Sequence, residues 1–353
     1  MSRGSARSRG PAGPVLRVGR VIALPLHPRA LLWAALYVLL LVGIAALTLT
    51  LGRLGVPLTR LPAVIAGAGE GTETFVLERL RGPRLAVALG AGAALGIAGA
   101  LFQSVTRNPL GSPDVIGLGA GAGAGAAVTA LLLPGAVPVP LGALAGSALA
   151  MAAVALATGS GLRHPGRLIV AGIGVAAMAH AFTQYVVAVL ARDEASVLHS
   201  YIYGSLGARS WDHAATIGIA VALAVPFAAA LAGPVAVNEM GDELADSLGA
   251  RAGRTRTGAI TLSVVLSAAA VSVAGPISFV SLTAPQIARR TTGAPGPNLA
   301  VSALVGALLL AAADLVVQQA PAAEGLPVGI LTMALGGVYL GCLLVREWRK
   351  GVL

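Results

Sequence analysis

Long stretches without a charged residue dominate this sequence and restrict the folds open to it. A charged side chain at the centre of a bilayer costs roughly 2.5 to 3.5 kcal/mol on insertion scales, so an uncharged run of about 20 residues is a candidate membrane span. The uncharged runs are 30–51, 85–106, 115–162, 168–191, 214–238, 257–288, 291–313 and 325–345. Only 11% of the chain is charged, against about 25% in soluble domains. The sequence therefore predicts an all-α membrane protein.

Two of these runs are too long for one crossing. The run 115–162 contains Pro134 and Gly135, which predict a tight hairpin between two helices. The run 257–288 is broken at Gly275 and Pro276, and the piece after the break is short enough to be a broken or re-entrant span. Splitting both runs predicts about ten transmembrane helices.

Small residues within the spans predict close helix packing. Gly92, Gly96 and Gly99 follow one another at spacings of four and three, which places them near one face of a helix. In lipid, helices associate through van der Waals contact and close backbone approach, which small residues permit. We therefore expect this helix to contact its neighbours through its glycines.

Arginine placement predicts the orientation of the chain. The N-terminal segment 1–29 is rich in arginine and is expected to be a cytoplasmic tail. Ten crossings through a transmembrane domain at 30–346 then return the C-terminal segment 347–353 to the cytoplasm. Arginines concentrate in the cytoplasmic loops of membrane proteins. One predicted outside loop contradicts this rule, because five arginines lie between the first two spans and need a partner or a local reason. They are Arg53, Arg60, Arg79, Arg81 and Arg84.

The distribution of lysine and cysteine excludes several kinds of site. Lys350 is the only lysine, and a phosphate-binding P-loop needs a Gly-Lys-Ser/Thr sequence at the start of a helix. If nucleotide energy drives this chain, a separate subunit must hydrolyse the nucleotide. Cys342 is the only cysteine, so neither a disulfide framework nor a thiolate metal cluster is expected. No cofactor is assigned. The arginines are spread over loop ends, which argues against a nucleic-acid surface.

Four segments carry a resemblance to a known family. They are Arg-Gly-Pro-Arg at 81–84, which leads to Arg-Asn-Pro-Leu-Gly-Ser-Pro-Asp at 107–114, then 241–249, 275–289 and 324–330. In this order and spacing they resemble the FecCD family of ABC importer permeases, over 80–345. The four segments together are specific for this family, whereas any one of them alone would be weak evidence.

The resemblance implies an architecture and a set of partners. Members of the family have a type II ABC importer permease fold with ten transmembrane helices in the bacterial cytoplasmic membrane. They form dimers with a second copy or a paralogue, bind two cytoplasmic ATPase subunits, and receive cargo from an extracytoplasmic binding lipoprotein. They catalyse no covalent chemistry themselves.

The expected function is the import of ferric siderophores, and two alternatives stay open. Vitamin B12 and haem are rival cargoes that the sequence cannot separate from siderophores. An ion-coupled secondary transporter would instead need ionisable residues within the membrane, for which Asp314 and His180 are the main candidates.

The resemblance assigns the segment at about 238–250 to the coupling helices that sit in a groove of the ATPase. Asp242, Glu243 and Asp246 are expected to make polar contacts with the ATPase, while Leu244 and Leu248 form an apolar face at an i, i+4 spacing. The predicted coupling residues are Gly241, Asp242, Glu243, Ala245, Leu248 and Gly249.

The resemblance also implies a docking site for the binding protein. Arg81 and Arg84 occupy positions whose arginines are thought to contact acidic residues of that protein. The pattern departs from the family at Gly82, where leucine is usual, and at Gln318, where a basic residue is usual. A third docking charge is therefore missing.

Polar residues after the second span are expected to shape an inner gate. Asp114 could cap the free N–H groups of the next helix, and Asn108 and Pro109 precede it on the predicted cytoplasmic side. The predicted gate or cap residues are Gln103, Asn108, Pro109 and Asp114. Gln286 stands where the family commonly has histidine, so no proton or metal role is assigned to it.

Overall fold

The computed structural model describes residues 15–18, 22–25, 27–52, 54–159, 165–190, 203–323 and 325–349. Eleven helices of these residues are used below. They are α1 (Pro28–Thr50), α2 (Thr72–Thr106), α3 (Leu118–Leu132), α4 (Val139–Ala157), α5 (Pro165–Leu190), α6 (Trp211–Asn238), α7 (Asp242–Ser247), α8 (Ala252–Ala274), α9 (Val280–Thr292), α10 (Leu299–Gln319) and α11 (Val328–Arg349).

The helical fold predicted from the sequence is confirmed. Within the described residues, seven helices are long and apolar enough to cross a membrane, namely α1, α2, α4, α5, α6, α8 and α10. Together with α3, α9 and α11 they match the ten predicted helices, and α7 is the additional short helix. An antiparallel hairpin of β1 (Val15–Val18) and β2 (Ile22–Pro25), which was not predicted, precedes α1.

Both predicted breaks are present. Helix α3 ends at Leu132 and α4 begins at Val139, with Gly135 at φ +75° in the turn between them. Helix α8 ends at Ala274, and the chain continues through Gly275 to α9. Helix α9 has 13 residues, which at 1.5 Å per residue reach about 20 Å of the roughly 30 Å hydrocarbon core. It is therefore a partial crossing, as the break predicts.

Helix α2 forms the centre of the bundle, where it packs against α6, α8, α9 and α10. Its glycines allow this packing. A Cβ atom at Gly92 would lie 2.4 Å from the carbonyl oxygen of Gly306, and one at Gly96 would lie 2.1 Å from that of Ser302. At Gly99 the distance to the Ser281 carbonyl oxygen would be 1.7 Å. The predicted glycine face therefore contacts α10 and α9 through their backbones.

Helices α3 and α4 pack in the same way. A Cβ atom at Gly121 would lie 2.6 Å from the carbonyl oxygen of Gly146, and one at Gly125 would lie 2.0 Å from that of Gly142. Gly121 and Gly125 are thus required by helix contact. The outer helices differ, because only 6% of the apolar window of α1 and 17% of those of α5 and α6 are buried. Lipid or a further chain must cover those surfaces.

Candidate coupling, docking and gate sites

Helix α7 is the predicted coupling segment, and it is a single short helix between two glycines. Gly241 lies at φ +113° immediately before it, and Gly249 lies at φ +79° two residues after Ser247. Both values belong to the positive-φ region that residues with a Cβ atom rarely adopt. The two glycines therefore allow the chain to turn out of α6, form one and a half turns of helix, and turn back into α8.

The two sides of α7 have different environments. Ala245 is fully buried against the body of the protein. Leu244 and Leu248 are 48% and 63% exposed, and Met240 beside them is 67% exposed. Apolar side chains at this exposure, one on α7 and one on either side of it, form a knob that a groove in a partner could cover. We call Met240, Leu244 and Leu248 the apolar knob.

Two of the three acidic side chains hold α7 to its own chain. Asp242 accepts hydrogen bonds from Arg256 Nη2 at 2.6 and 2.7 Å and from Arg107 Nη2 at 2.9 Å. The bond from Arg256, together with the charges of both arginines, lowers the pKa of Asp242 below its ordinary value. Asp246 accepts a hydrogen bond from the Ala252 amide at 2.7 Å. Both carboxylates therefore already have intramolecular partners.

Contact of the three acids with a partner stays a prediction, and the structure adds an intramolecular role for two of them. Among the described residues, Glu243 alone of the three has a carboxylate without a hydrogen bond or ion pair. The reason is local, because α7 is too short to be stable by itself. Ion pairs to the end of α2 and the start of α8 supply the fixed orientation that a coupling element requires.

The predicted docking arginines are also used within the chain. Arg84 donates from Nε and Nη2 to both carboxylate oxygens of Asp314, at 2.7 to 3.0 Å. Gln318 donates to the same carboxylate at 2.6 Å. Arg81 Nη1 donates to the carbonyl oxygens of Thr48, at 2.7 Å, and Leu51. Docking of a binding protein by these arginines stays a prediction, and the structure adds an intramolecular role for each.

These contacts explain why most of the five arginines between the first two spans lie in a loop that is predicted to be outside. Arg60 pairs with Glu73 at 3.0 Å, Arg81 binds the C-terminal end of α1, and Arg84 binds α10. Arg79 is exposed, and Arg53 lies outside the described residues. The local reason required by the sequence is therefore present for three of the five arginines.

A buried amide pair joins α2 to α9. Gln103 donates to the Leu282 carbonyl oxygen at 2.9 Å, and its own Oε1 accepts from Gln286 Nε2 at 2.9 Å. Gln286 Nε2 also donates to the Pro109 carbonyl oxygen at 2.9 Å. Gln103 and Gln286 are 1% and 8% exposed. The predicted gate residues Gln103 and Pro109 are thus brought together by a residue that the sequence analysis left without a role.

The two remaining gate residues have separate partners. Asn108 Oδ1 accepts a hydrogen bond from the Leu110 amide at 2.9 Å and closes a local turn. Asp114 accepts a hydrogen bond from Ser281 Oγ at 2.7 Å, while Gly117 is the N-cap residue of α3 and no side chain caps that helix. The expected capping by Asp114 is therefore wrong, because its carboxylate faces the first turn of α9.

Comparisons with known proteins agree with this arrangement. The model of the FecCD transport family matches residues 38–346. The chain belongs to the FecCD transport family.

Similar proteins cover most of this FecCD chain. The ferric enterobactin transport system permease protein FepG of Escherichia coli (strain K12) is 38% identical, over 82% of this chain and 88% of FepG. The Fe(3+) dicitrate transport system permease protein FecD of the same strain is 36% identical, over 87% of this chain and 96% of FecD. The Fe(3+)-citrate import system permease protein YfmE of Bacillus subtilis (strain 168) is 33% identical, over 91% of this chain and 97% of YfmE.

A solved structure shares the fold. A chain of a metal-chelate type ABC transporter in an inward-facing conformation superposes with a TM-score of 0.78 at 24% identity, over 89% of this chain and 98% of that chain. The type II permease fold expected for this FecCD chain is therefore present.

Several functional partners in this FecCD chain were not assigned from sequence. Arg107 and Arg256 pair with Asp242 although they lie 135 and 14 residues away along the chain. Asp314 pairs with Arg84 across 230 residues. Each is a charge at the end of an apolar run, which is the available signal, but a single sequence does not show which ends meet.

Proposed function

We propose that this FecCD-family chain is the membrane-spanning permease subunit of an ATP-driven importer of ferric siderophores. The observation that carries the proposal is α7, a short helix anchored by Asp242 and Asp246 that presents an exposed apolar knob. A knob fixed to the ends of α2 and α8 can transmit a push or a pull to those helices. An unanchored loop could not.

The energy source in this proposal is a separate ATPase subunit. Lys350, the only lysine, is preceded by Arg349 and followed by Gly351, so it is not part of a Gly-Lys-Ser/Thr sequence. The apolar knob and the free carboxylate of Glu243 supply a surface of mixed character, which suits a groove with an apolar centre and a polar rim. Tight contact on both sides of α7 would convert closure of the ATPase into movement of the helix ends.

A second permease chain is part of the same proposal. Helix α5 exposes His180 and Gln184 in an otherwise apolar span, and polar side chains facing lipid are costly. Among the described residues, no atom lies within 4 Å of the position that a Cβ atom would take at Gly174 in α5 or at Gly337 and Gly341 in α11. Small residues on open faces allow another helix to approach closely. A second copy or a paralogue would cover these faces and enclose a polar pathway.

The binding lipoprotein is assigned to the opposite end of the bundle from α7. The part of α2 with regular α-helical geometry is Gly82–Thr106. Arg84 lies near its first residue and Arg107 follows its last, which places these arginines roughly 35 Å apart. Arg107 holds α7. Arg81 and Arg84 therefore lie at the far end, where the binding protein would dock. Both chain termini are assigned to the cytoplasm of a bacterium, on the α7 side.

The ion-coupled alternative loses one of its two candidate residues. Asp314 is paired with Arg84, so its charge is already compensated. A carboxylate held in that way is poorly suited to binding and releasing a coupling ion during each transport cycle. His180 is then the only one of the two that remains.

Reconstitution into lipid vesicles tests the proposal. Vesicles containing this chain, its ATPase and its binding protein should accumulate iron-55 supplied as ferric enterobactin only when ATP is present on the ATPase side. An ATPase variant lacking its P-loop lysine is the control and should abolish uptake. Accumulation driven by a proton or sodium gradient without the ATPase would overturn the proposal. Uptake of haem or cobalamin in place of iron chelates would overturn the siderophore assignment alone.

A further inference from the structure

Helix α9 is tied to the segment that carries the coupling helix by one side chain. Arg289, in the last turn of α9, donates from Nη2 to Glu239 Oε1 at 2.8 Å. The same nitrogen donates to Ser104 Oγ at 2.7 Å. Glu239 lies between the end of α6 at Asn238 and Gly241 at the start of the coupling turn. One guanidinium therefore connects three elements: α9, α2 and the entry to α7.

The other contacts of α9 restrict how it can move. Its first turn follows Phe279, which adopts a left-handed conformation at φ +68°. The Phe279 side chain packs so closely on Gly336 that a Cβ atom there would lie 2.1 Å from it. On the α2 side, Ser281 closes against Gly99 with no room for a methyl group. The start of α9 is thus held by close packing against two glycines, while its end is held by polar side chains.

The two kinds of contact respond differently to a displacement. The close packing of Ser281 on Gly99 and of the Phe279 side chain on Gly336 cannot shift without opening the interface, because interiors are close-packed. The polar contacts of Arg289 can change partners at lower cost. Its Nε–H is buried and has no hydrogen-bond partner among the described residues, so the guanidinium is not fully satisfied in this arrangement. The α7 end of α9 is therefore the end that can move.

We infer that Arg289 is a positioning residue that transmits movement of the coupling segment to α9 through Glu239. The inference rests on the proposed function, since it concerns how movement of the ATPase is transmitted to the predicted gate residues. When α7 is displaced, Glu239 moves with it, and the ion pair draws the end of α9 along. The amide pair of Gln103 and Gln286, one turn from Arg289, then sets how far α9 can separate from α2.

The chain provides a matched control for this inference. Arg290 is the next residue in the same helix, carries the same charge and is exposed. Replacing it by alanine changes the net charge as Arg289→Ala does, but it leaves the contacts to Glu239 and Ser104 in place. Arg290→Ala should therefore preserve both ATP hydrolysis and uptake within twofold of the unmodified importer.

The test measures ATP hydrolysis and uptake separately in the assembled importer, with iron-55 ferric enterobactin as the probe. Arg289→Ala should retain at least half of the ATPase rate and lose uptake about tenfold. Glu239→Gln, which keeps the size of the side chain, should show the same separation and serves if Arg289→Ala does not fold. The exchanged pair Glu239→Arg with Arg289→Glu should recover uptake at least threefold over either single variant.

The outcomes separate this inference from the function on which it depends. Uptake within twofold of normal in both Arg289→Ala and Glu239→Gln would overturn the inference and leave the proposed function intact. A parallel loss of ATPase and uptake would also overturn it, because it would indicate a defect in assembly. If the unmodified chain binds no ATPase and shows no ATP-dependent uptake, the proposed function itself fails.

Discussion

Arg84 and Asp314 form a bidentate ion pair that joins α2 to α10. Both oxygens of the Asp314 carboxylate accept from the Arg84 guanidinium, and Gln318 donates to the same group from one turn further along α10. Asp314 is 2% exposed and Arg84 is 23% exposed. The pair therefore fixes the direction of the guanidinium while leaving one edge of it within reach of solvent.

Breaking this pair should destabilise the protein. Asp314→Asn leaves the Arg84 charge partly buried without a counter-charge, and such losses cost about 3 to 5 kcal/mol when fully buried. Because Arg84 is partly exposed, we expect about 2 kcal/mol, measured as the change in the free energy of unfolding in detergent micelles. Arg79→Ala is the control and should change that free energy by less than about 0.5 kcal/mol. Equal stability of Asp314→Asn and the unmodified chain would contradict a structural role for the pair.

The ion pair also shows what the sequence could and could not predict. Spans, the hairpin at Pro134 and the break at Gly275 follow from local insertion energetics and local backbone preference, so they were predicted correctly. The partner of Arg84 lies 230 residues away, and that of Asp242 at Arg107 lies 135 residues away. Such pairings depend on how helices pack, which a single amphipathic or apolar pattern does not contain. The capping expected of Asp114 failed for the same reason, because its partner lies on α9.

Two glycines in the bundle should respond in opposite ways to the same substitution. Gly99→Ala places a methyl group 1.7 Å from the Ser281 carbonyl oxygen, where only backbone atoms could give way. We expect more than about 3 kcal/mol of destabilisation or loss of folded protein. Gly123→Ala meets no atom within 4 Å and should be neutral or stabilising by up to about 1 kcal/mol, because alanine favours a helix. Thermal unfolding followed by size-exclusion chromatography measures both, and similar midpoints for the two variants would contradict the close approach of α2 and α9.

The apolar knob should be required for coupling and dispensable for folding. Leu248→Glu replaces an exposed apolar side chain, so the free energy of unfolding should change little, while burial of a new charge in a partner groove would be costly. We expect at least a tenfold loss of ATP-dependent uptake with normal insertion into the membrane. Ser247→Ala, on the same helix, removes only a hydroxyl group bonded to the Glu243 carbonyl oxygen and should be silent. Normal uptake by Leu248→Glu would remove the coupling assignment from α7.

The anchoring of α7 should withstand mild acid and fail only under strongly acidic conditions. The hydrogen bond from Arg256 lowers the pKa of Asp242 in the folded chain, whereas the pKa of an aspartate in an unfolded chain is about 3.9. A depressed folded pKa means that the ion pairs stabilise α7 at all pH values above the unfolded pKa and lose that effect as the pH falls through the folded value. Between pH 8 and pH 5 the anchor should therefore be unchanged.

An environment-sensitive fluorophore on α7 would follow this behaviour. It can be attached at Ser247→Cys in a Cys342→Ser background, because the native cysteine is exposed. The unmodified anchor should give a constant signal down to about pH 4, and its difference from an Asp242→Asn variant should shrink below that pH. Other carboxylates also titrate in acid, so the comparison with Asp242→Asn isolates this one group. A transition between pH 7 and pH 5 that disappears in Asp242→Asn would contradict the depressed pKa, since it would require Asp242 to bind its proton more tightly in the folded chain than in the unfolded one.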